Sequence, residues 1–139
     1  PALIRKFHEA KVNKQPAVNV WGTGTPKREF MYSDDMAEAC LYLMKLSENK
    51  VGQLFNSDTA PLINIGSDVD LSIKELADLI KEIIGFKGNL VFNANKPDGT
   101  MRKLMDSNQL NKLGWKKTTP LKDGIHKAYQ DFIKLEGLI

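Results

Sequence analysis

Residues 72–92 constrain the fold more than any other stretch of this chain. Ser72-Ile-Lys-Glu75 has the spacing of a capping box, in which the serine hydroxyl takes one backbone N–H and the glutamate carboxylate returns to another. Behind it Leu76, Leu79, Ile80 and Ile83 recur at helical spacing, and Gly85 stands where a helix ends in a left-handed residue. Asn89-Leu-Val-Phe92 then reads as a strand. A helix with one apolar face and a strand following at once needs a sheet to pack on, which points to a layered α/β arrangement.

The rest of the chain repeats the alternation. Leu3, Ile4 and Phe7 fall at helical spacing after Pro1, and Gln15-Pro16 ends that helix. Ala17-Val-Asn-Val-Trp21 alternates as a strand, and Glu29-Phe-Met-Tyr32 reads as a second extended piece. A helix follows with Ser33 or Asp34 as N-cap, acidic residues in its first turn, and Met36, Ala39, Cys40, Leu43 and Met44 as its apolar stripe. Gln53–Asn56 and Leu62–Ile65 read as strands. Asp106 or Ser107 caps a short helix closing at Leu113-Gly-Trp115. Thr119-Pro120 opens the last helix, proline in its first position, with Leu121, Ile125, Ala128, Tyr129, Phe132 and Ile133 turned inward.

Residues 1–139 therefore read as one α/β domain without repeats or linkers. Three or four short strands are few for a complete doubly wound sheet. The glycine-rich strand–turn–helix signature of a dinucleotide site is missing, because Pro26 follows Gly22-Thr-Gly24 where a helix would have to begin. The chain starts without methionine and inside a helix, which reads as part of a longer protein. Such a part is expected to expose a strand edge and an apolar surface on its first helix.

Charge narrows the function. The net charge is +3 and the lysines are scattered, which disfavours nucleic-acid binding. No apolar run approaches the roughly 20 residues that span a bilayer. One cysteine, Cys40, can make no internal disulfide or zinc site, in keeping with a reducing, cytoplasmic setting. On the stripe of its helix it reads as a buried, inert side chain. His8 and His126 lack partners for catalysis and read as ordinary helix residues. Asp34 and Asp35 read as cap and dipole partners.

Two loops carry the candidate chemistry. In Lys96-Pro-Asp-Gly-Thr-Met-Arg-Lys103 a proline–glycine turn is set to bring Lys96, Arg102 and Lys103 onto one phosphate or diphosphate, with Asp98 placed to accept from a sugar hydroxyl. Trp21-Gly-Thr-Gly-Thr-Pro-Lys-Arg-Glu-Phe30 adds an aromatic plate and Arg28. Each has a plainer alternative: Arg28 paired with Glu29 or Asp34, Trp21 in the core, and Asp98 serving only its turn. Arg102 and Lys103 alternate along an extended segment, so one of the two faces the pocket.

At these residues the chain resembles the C-terminal, substrate-binding part of an extended short-chain dehydrogenase/reductase, lacking most of the N-terminal Rossmann sheet. Val20-Trp-Gly-Thr-Gly24, Arg28-Glu-Phe30, Asp34-Asp-Met-Ala37, Asn64-Ile-Gly66, Leu113-Gly-Trp115 and Thr119-Pro-Leu-x-Asp-Gly-Ile125 agree with it in order. The opening Pro-Ala-Leu-Ile-Arg-Lys-Phe-His-Glu-Ala run and Lys-Pro-Asp-Gly-Thr-x-Arg-Lys narrow the resemblance to the GDP-L-fucose synthase family of 3,5-epimerase/4-reductases. Met101 stands where that family usually has proline, and Lys6 where it has arginine.

The resemblance implies a GDP-sugar substrate, NADPH held mainly by an upstream half, and a homodimeric parent. It implies substrate contacts at Lys6, Trp21, Arg28, Asp98 and Lys103, with Arg102 structural or exposed. The reductase Ser, Tyr and Lys and the epimerising Cys and His would all precede Pro1, so no catalytic residue is expected in this chain, and the chain alone is expected to be inactive. The alternatives are another nucleotide-sugar 4-epimerase or 4,6-dehydratase, and, in a different class, a non-catalytic nucleotide-sugar-binding module.

Overall fold

The computed structural model describes residues 2–54, 60 and 62–135. Helix α1 (Ala2–Val12) buries Ile4, Phe7 and Ala10. Strand β1 (Ala17–Trp21) follows, with Val18 and Val20 inward and Trp21 outward, as the two-residue pleat requires. It pairs in parallel with β4 (Asn89–Asn93), Ala17 opposite Asn89 and Trp21 opposite Asn93. Helix α4 (Ile73–Ile84) crosses between them with its capping box formed, and Gly85 closes it at φ 73°. Lys11 Nζ, from the end of α1, donates to the Ile84 carbonyl (2.6 Å), where a cation offsets the negative end of α4.

A second sheet, in the order β3-β2-β5, carries the basic residues. Strand β2 (Lys27–Glu29) runs antiparallel to β3 (Asp70–Ser72) and parallel to β5 (Arg102–Lys103). Helix α6 (Leu121–Leu135) joins α1, β1 and α4 in the main core through Ile125 and Tyr129. Phe7, fully buried, meets Phe86 edge-on at 5.7 Å between centroids. A smaller core joins Ala39 of α2 (Ser33–Met44), Leu110 of α5 (Asn108–Lys112) and Trp115.

Several elements depart from the sequence reading. The second strand lies at Lys27–Glu29 rather than Glu29–Tyr32, because Lys27 and Arg28 are the residues in register with Arg102 and Lys103. Helix α2 begins at Ser33 with Tyr32 as N-cap and without a side-chain cap. Its buried face is Asp35, Ala39, Tyr42 and Leu43, whereas Met36, Cys40 and Met44 are exposed. The buried-cysteine expectation is therefore corrected: a polar residue, Asp35, takes the inward position that sets the helix phase. Asp35 is more than an N-terminal charge, since it accepts from Thr118 Oγ1, Thr119 N–H and Thr119 Oγ1 at 2.9–3.2 Å.

Gln53 and Leu54 end helix α3 (Glu48–Leu54) instead of opening a strand, and residues 55–56 of that expected strand lie outside the described residues. Leu62–Ile65 joins no ladder among the described residues; Ile63 and Ile65 pack on the smaller core. Pro120 precedes α6 and supplies the carbonyl that takes the Gly124 N–H. Pro1, read as the start of α1, is not among the described residues. On α1 Ile4, Phe7 and Ala10 are covered and Val12, at its end, is exposed; the other exposed large apolar side chains are scattered, among them Trp21, Met44, Val69 and Leu135.

Candidate functional site

The site is assembled by two loops leaving the ends of β1 and β4. Gly22 and Gly24 take φ 80° and 79°, which lets the chain double back from Trp21 into β2. Asp98 closes the opposite loop onto this one: Thr23 N–H donates to its Oδ1 (2.6 Å) and Thr23 Oγ1 to its Oδ2 (2.8 Å). The backbone is stitched a second time by Lys27 N–H donating to the Met101 carbonyl (2.8 Å). Asp98 thus braces the two loops, a role its Asx-turn reading missed because the partner is 75 residues away in sequence.

Arg28 and Lys103 are register partners on β2 and β5. Both line a cleft of about 620 Å³ whose walls include Glu29, Met31, Ile65 and Met105. Arg28 Nη1 donates to the Lys27 carbonyl (2.6 Å), and among the described residues no carboxylate pairs with it. The expected plain pairing with Glu29 or Asp34 is absent because Glu29 accepts from the Asp68 and Met105 N–H groups instead. Arg102, next along β5, turns away to pair with Asp70 at 2.5 Å, the structural role expected of it.

Trp21 stands apart from the core, 66% exposed, with Lys96 Nζ 5.3 Å and Lys6 Nζ 5.8 Å from its ring. Two cations against one indole make an aromatic-cationic platform. Lys6 reaches it from α1 and also donates to the Asn19 carbonyl at 3.4 Å. The expected convergence of Lys96, Arg102 and Lys103 on one ligand does not occur. The pleat sends Arg102 and Lys103 apart, and the Pro97–Gly99 bend carries Lys96 to Trp21. Of the residues expected at the substrate, Lys6 and Trp21 stand together with Lys96, Arg28 stands beside Lys103, and Asp98 braces the loops.

The other large cavity, about 680 Å³, is an apolar groove between α1, α4 and α6, lined by residues such as Leu3, Phe30, Ile73 and Phe132. It offers little to an anion. His8 Nδ1 lies 3.0 Å from the Tyr129 hydroxyl, a bond between α1 and α6, and burial pushes the Tyr129 phenol up. His126 is exposed. Among the described residues no group of His, Cys, Asp and Glu could hold a metal, and no helix is long and apolar enough to cross a membrane.

Comparison with known proteins agrees with this architecture. The model of the NAD dependent epimerase/dehydratase family matches residues 1–57. GDP-L-fucose synthase 1 of Arabidopsis thaliana is 47% identical over 96% of this chain and 38% of its own length. The GDP-L-fucose synthase of Escherichia coli is 45% identical over 96% of this chain and 41% of its own. A GDP-mannoheptose C4 reductase from Campylobacter jejuni, solved with NADP bound, superposes with TM-score 0.81 at 40% identity, covering 95% of this chain and 43% of that one. The chain thus spans about two fifths of the length of the curated relatives it matches. Its fold is the mixed α/β of extended short-chain epimerases and reductases, and its homologues are GDP-L-fucose synthases whose C-terminal part it matches.

Proposed function

We propose, on the premise that this chain is homologous to the C-terminal part of GDP-L-fucose synthases, that it is the GDP-sugar-binding part of an NADPH-dependent 3,5-epimerase/4-reductase. The longer protein would convert GDP-4-keto-6-deoxy-D-mannose to GDP-L-fucose as a cytoplasmic homodimer. The observation that carries this reading is the Arg28–Lys103 pair. Two cations stand side by side on parallel strands, face one cleft, and have no acidic partner among the described residues. A guanidinium beside an ammonium suits a diphosphate, the first as a planar fork and the second as a point charge. Trp21, with Lys6 and Lys96 against it, supplies a flat surface for the base or sugar at the same end of the molecule.

The proposed division of labour is supported by the local geometry of the glycine loop. Gly22 and Gly24 lead into β2 rather than a helix N-terminus, so these residues do not fit a dinucleotide. Hydride chemistry and its catalytic groups are assigned to the rest of the longer protein. This chain contributes binding and orientation, which lower a barrier only when the reacting groups are also present. The 139-residue chain alone is therefore expected to oxidise no NADPH when the keto-sugar is supplied; measurable turnover would contradict the assignment. A competition titration of GDP, UDP and dTDP sugars on the full-length protein tests the ligand. GDP sugars are expected to bind about tenfold tighter or better, a difference of about 1.4 kcal/mol. Preference for UDP or dTDP sugars would move the chain to a 4-epimerase or 4,6-dehydratase.

A further inference from the structure

We propose that Glu29 is a positioning residue for the Arg28–Lys103 cleft, its carboxylate fixing the two loops that hold Lys103 opposite Arg28; the proposal rests on the reading of that cleft as the diphosphate site. Glu29 follows Arg28 directly on β2, yet its charge is spent elsewhere. Asp68 N–H donates to Oε1 at 2.7 Å and Met105 N–H donates to Oε2 at 3.1 Å. One donor belongs to the segment between Gly66 and β3, the other to the chain two residues beyond Lys103. A single half-buried carboxylate thus spans the two walls of the cleft.

Three neighbours mark the bracket as built for this spacing. Gly66 passes so close that a Cβ there would lie 2.6 Å from Glu29 Oε1 and 2.7 Å from Ser107 Oγ. Asp68 holds φ 59°, a left-handed conformation that non-glycine residues adopt at a cost, and Asn111 Nδ2 fixes its side chain with a 2.7 Å bond to Oδ2. Ser107 Oγ is buried against the same point with no partner of its own among the described residues. Because Glu29 accepts from backbone donors, it also leaves the adjacent Arg28 guanidinium uncompensated. An Arg28–Glu29 ion pair would cancel the charge that an anionic ligand needs.

Glu29→Gln separates this role from plain stability. The amide keeps an acceptor for one N–H but sets a second donor against the other, so one wall of the cleft must move. In the full-length protein, GDP affinity measured by calorimetry is expected to fall about tenfold, the scale of one lost charge-assisted hydrogen bond. The loss should nearly vanish when Glu29→Gln is made in a Lys103→Ala background, because Glu29 acts through Lys103. Gly66→Ala, which pushes the carboxylate off its donors without removing it, should repeat the pattern if Glu29→Gln fails to fold. Equal losses with and without Lys103 would overturn the proposal and leave Glu29 a purely structural brace. Normal GDP affinity in Glu29→Gln, with Arg28→Ala and Lys103→Ala both weakened, would overturn it while sparing the diphosphate site. Unchanged affinity in all three would overturn both.

Discussion

Gly22 is the hinge on which the basic loops turn. At φ 80° it adopts a conformation that L side chains avoid, and a Cβ there would lie 2.1 Å from Asp98 Oδ1, the acceptor of the Thr23 N–H. Gly22→Ala should cost about 1–3 kcal/mol through strain and the broken brace, measured as a shift in the urea midpoint at unchanged slope. Cys40 gives a second residue-scale check. Exposed on α2, it should react fully with a thiol reagent in the native protein, whereas protection until unfolding would contradict its placement. At this scale the sequence disclosed which residues carry charge but not what each one touches. Arg28 and Lys103 come together because β2 and β5 pair in register, 75 positions apart, and no local pattern encodes such a pairing. In sequence Glu29 reads only as a possible partner of Arg28 for the same reason: its actual partners, at positions 68 and 105, are supplied by the fold.

Among the elements, α4 has the best-marked ends. Ser72 Oγ accepts from the Glu75 N–H at 3.1 Å, and the Glu75 carboxylate accepts from the Ser72 N–H at 2.7 Å. Ser72→Ala should lower stability by about 1 kcal/mol. The hydrogen bonds from Ser72 hold the Glu75 carboxyl below its ordinary value. A carboxylate depressed on folding contributes stability above its unfolded pKa and loses it as pH falls through the folded value. Acid titration followed by circular dichroism should therefore show a shallower loss of stability in Glu75→Gln than in wild type, and identical curves would rule out this contribution. Elements such as α4 and β1 were legible because period, cap and terminator agree within a dozen residues. Leu62–Ile65 was not, since an apolar run fits a strand or a packed loop equally well until a ladder partner is known. The stripe of α2 was misjudged because Asp35, a polar residue, occupies the inward position and hydrogen-bonds to Thr118 and Thr119.

At the scale of the whole molecule, one core gathers α1, β1, α4 and α6, while a smaller one supports the α2 side. Phe7 belongs to the larger and is fully buried, and Phe7→Ala should cost about 3–5 kcal/mol, a large share of the stability of a domain of this size, read as a lowered urea midpoint. The cleft is lined by Arg28 and Lys103 of the three-stranded sheet and by Met31 and Ile65, which pack on the smaller core, so it takes its shape from long-range pairings. The proposed function requires this cleft to grip the diphosphate of a GDP-sugar through Arg28. It is tested most directly by NADPH consumption in the full-length protein with GDP-4-keto-6-deoxy-D-mannose, wild type beside Arg28→Ala. Turnover by wild type with a loss of about 100-fold or more in kcat/KM for the variant is expected, the scale of a lost bidentate contact to a charged group. Undiminished turnover by the variant would contradict the claim.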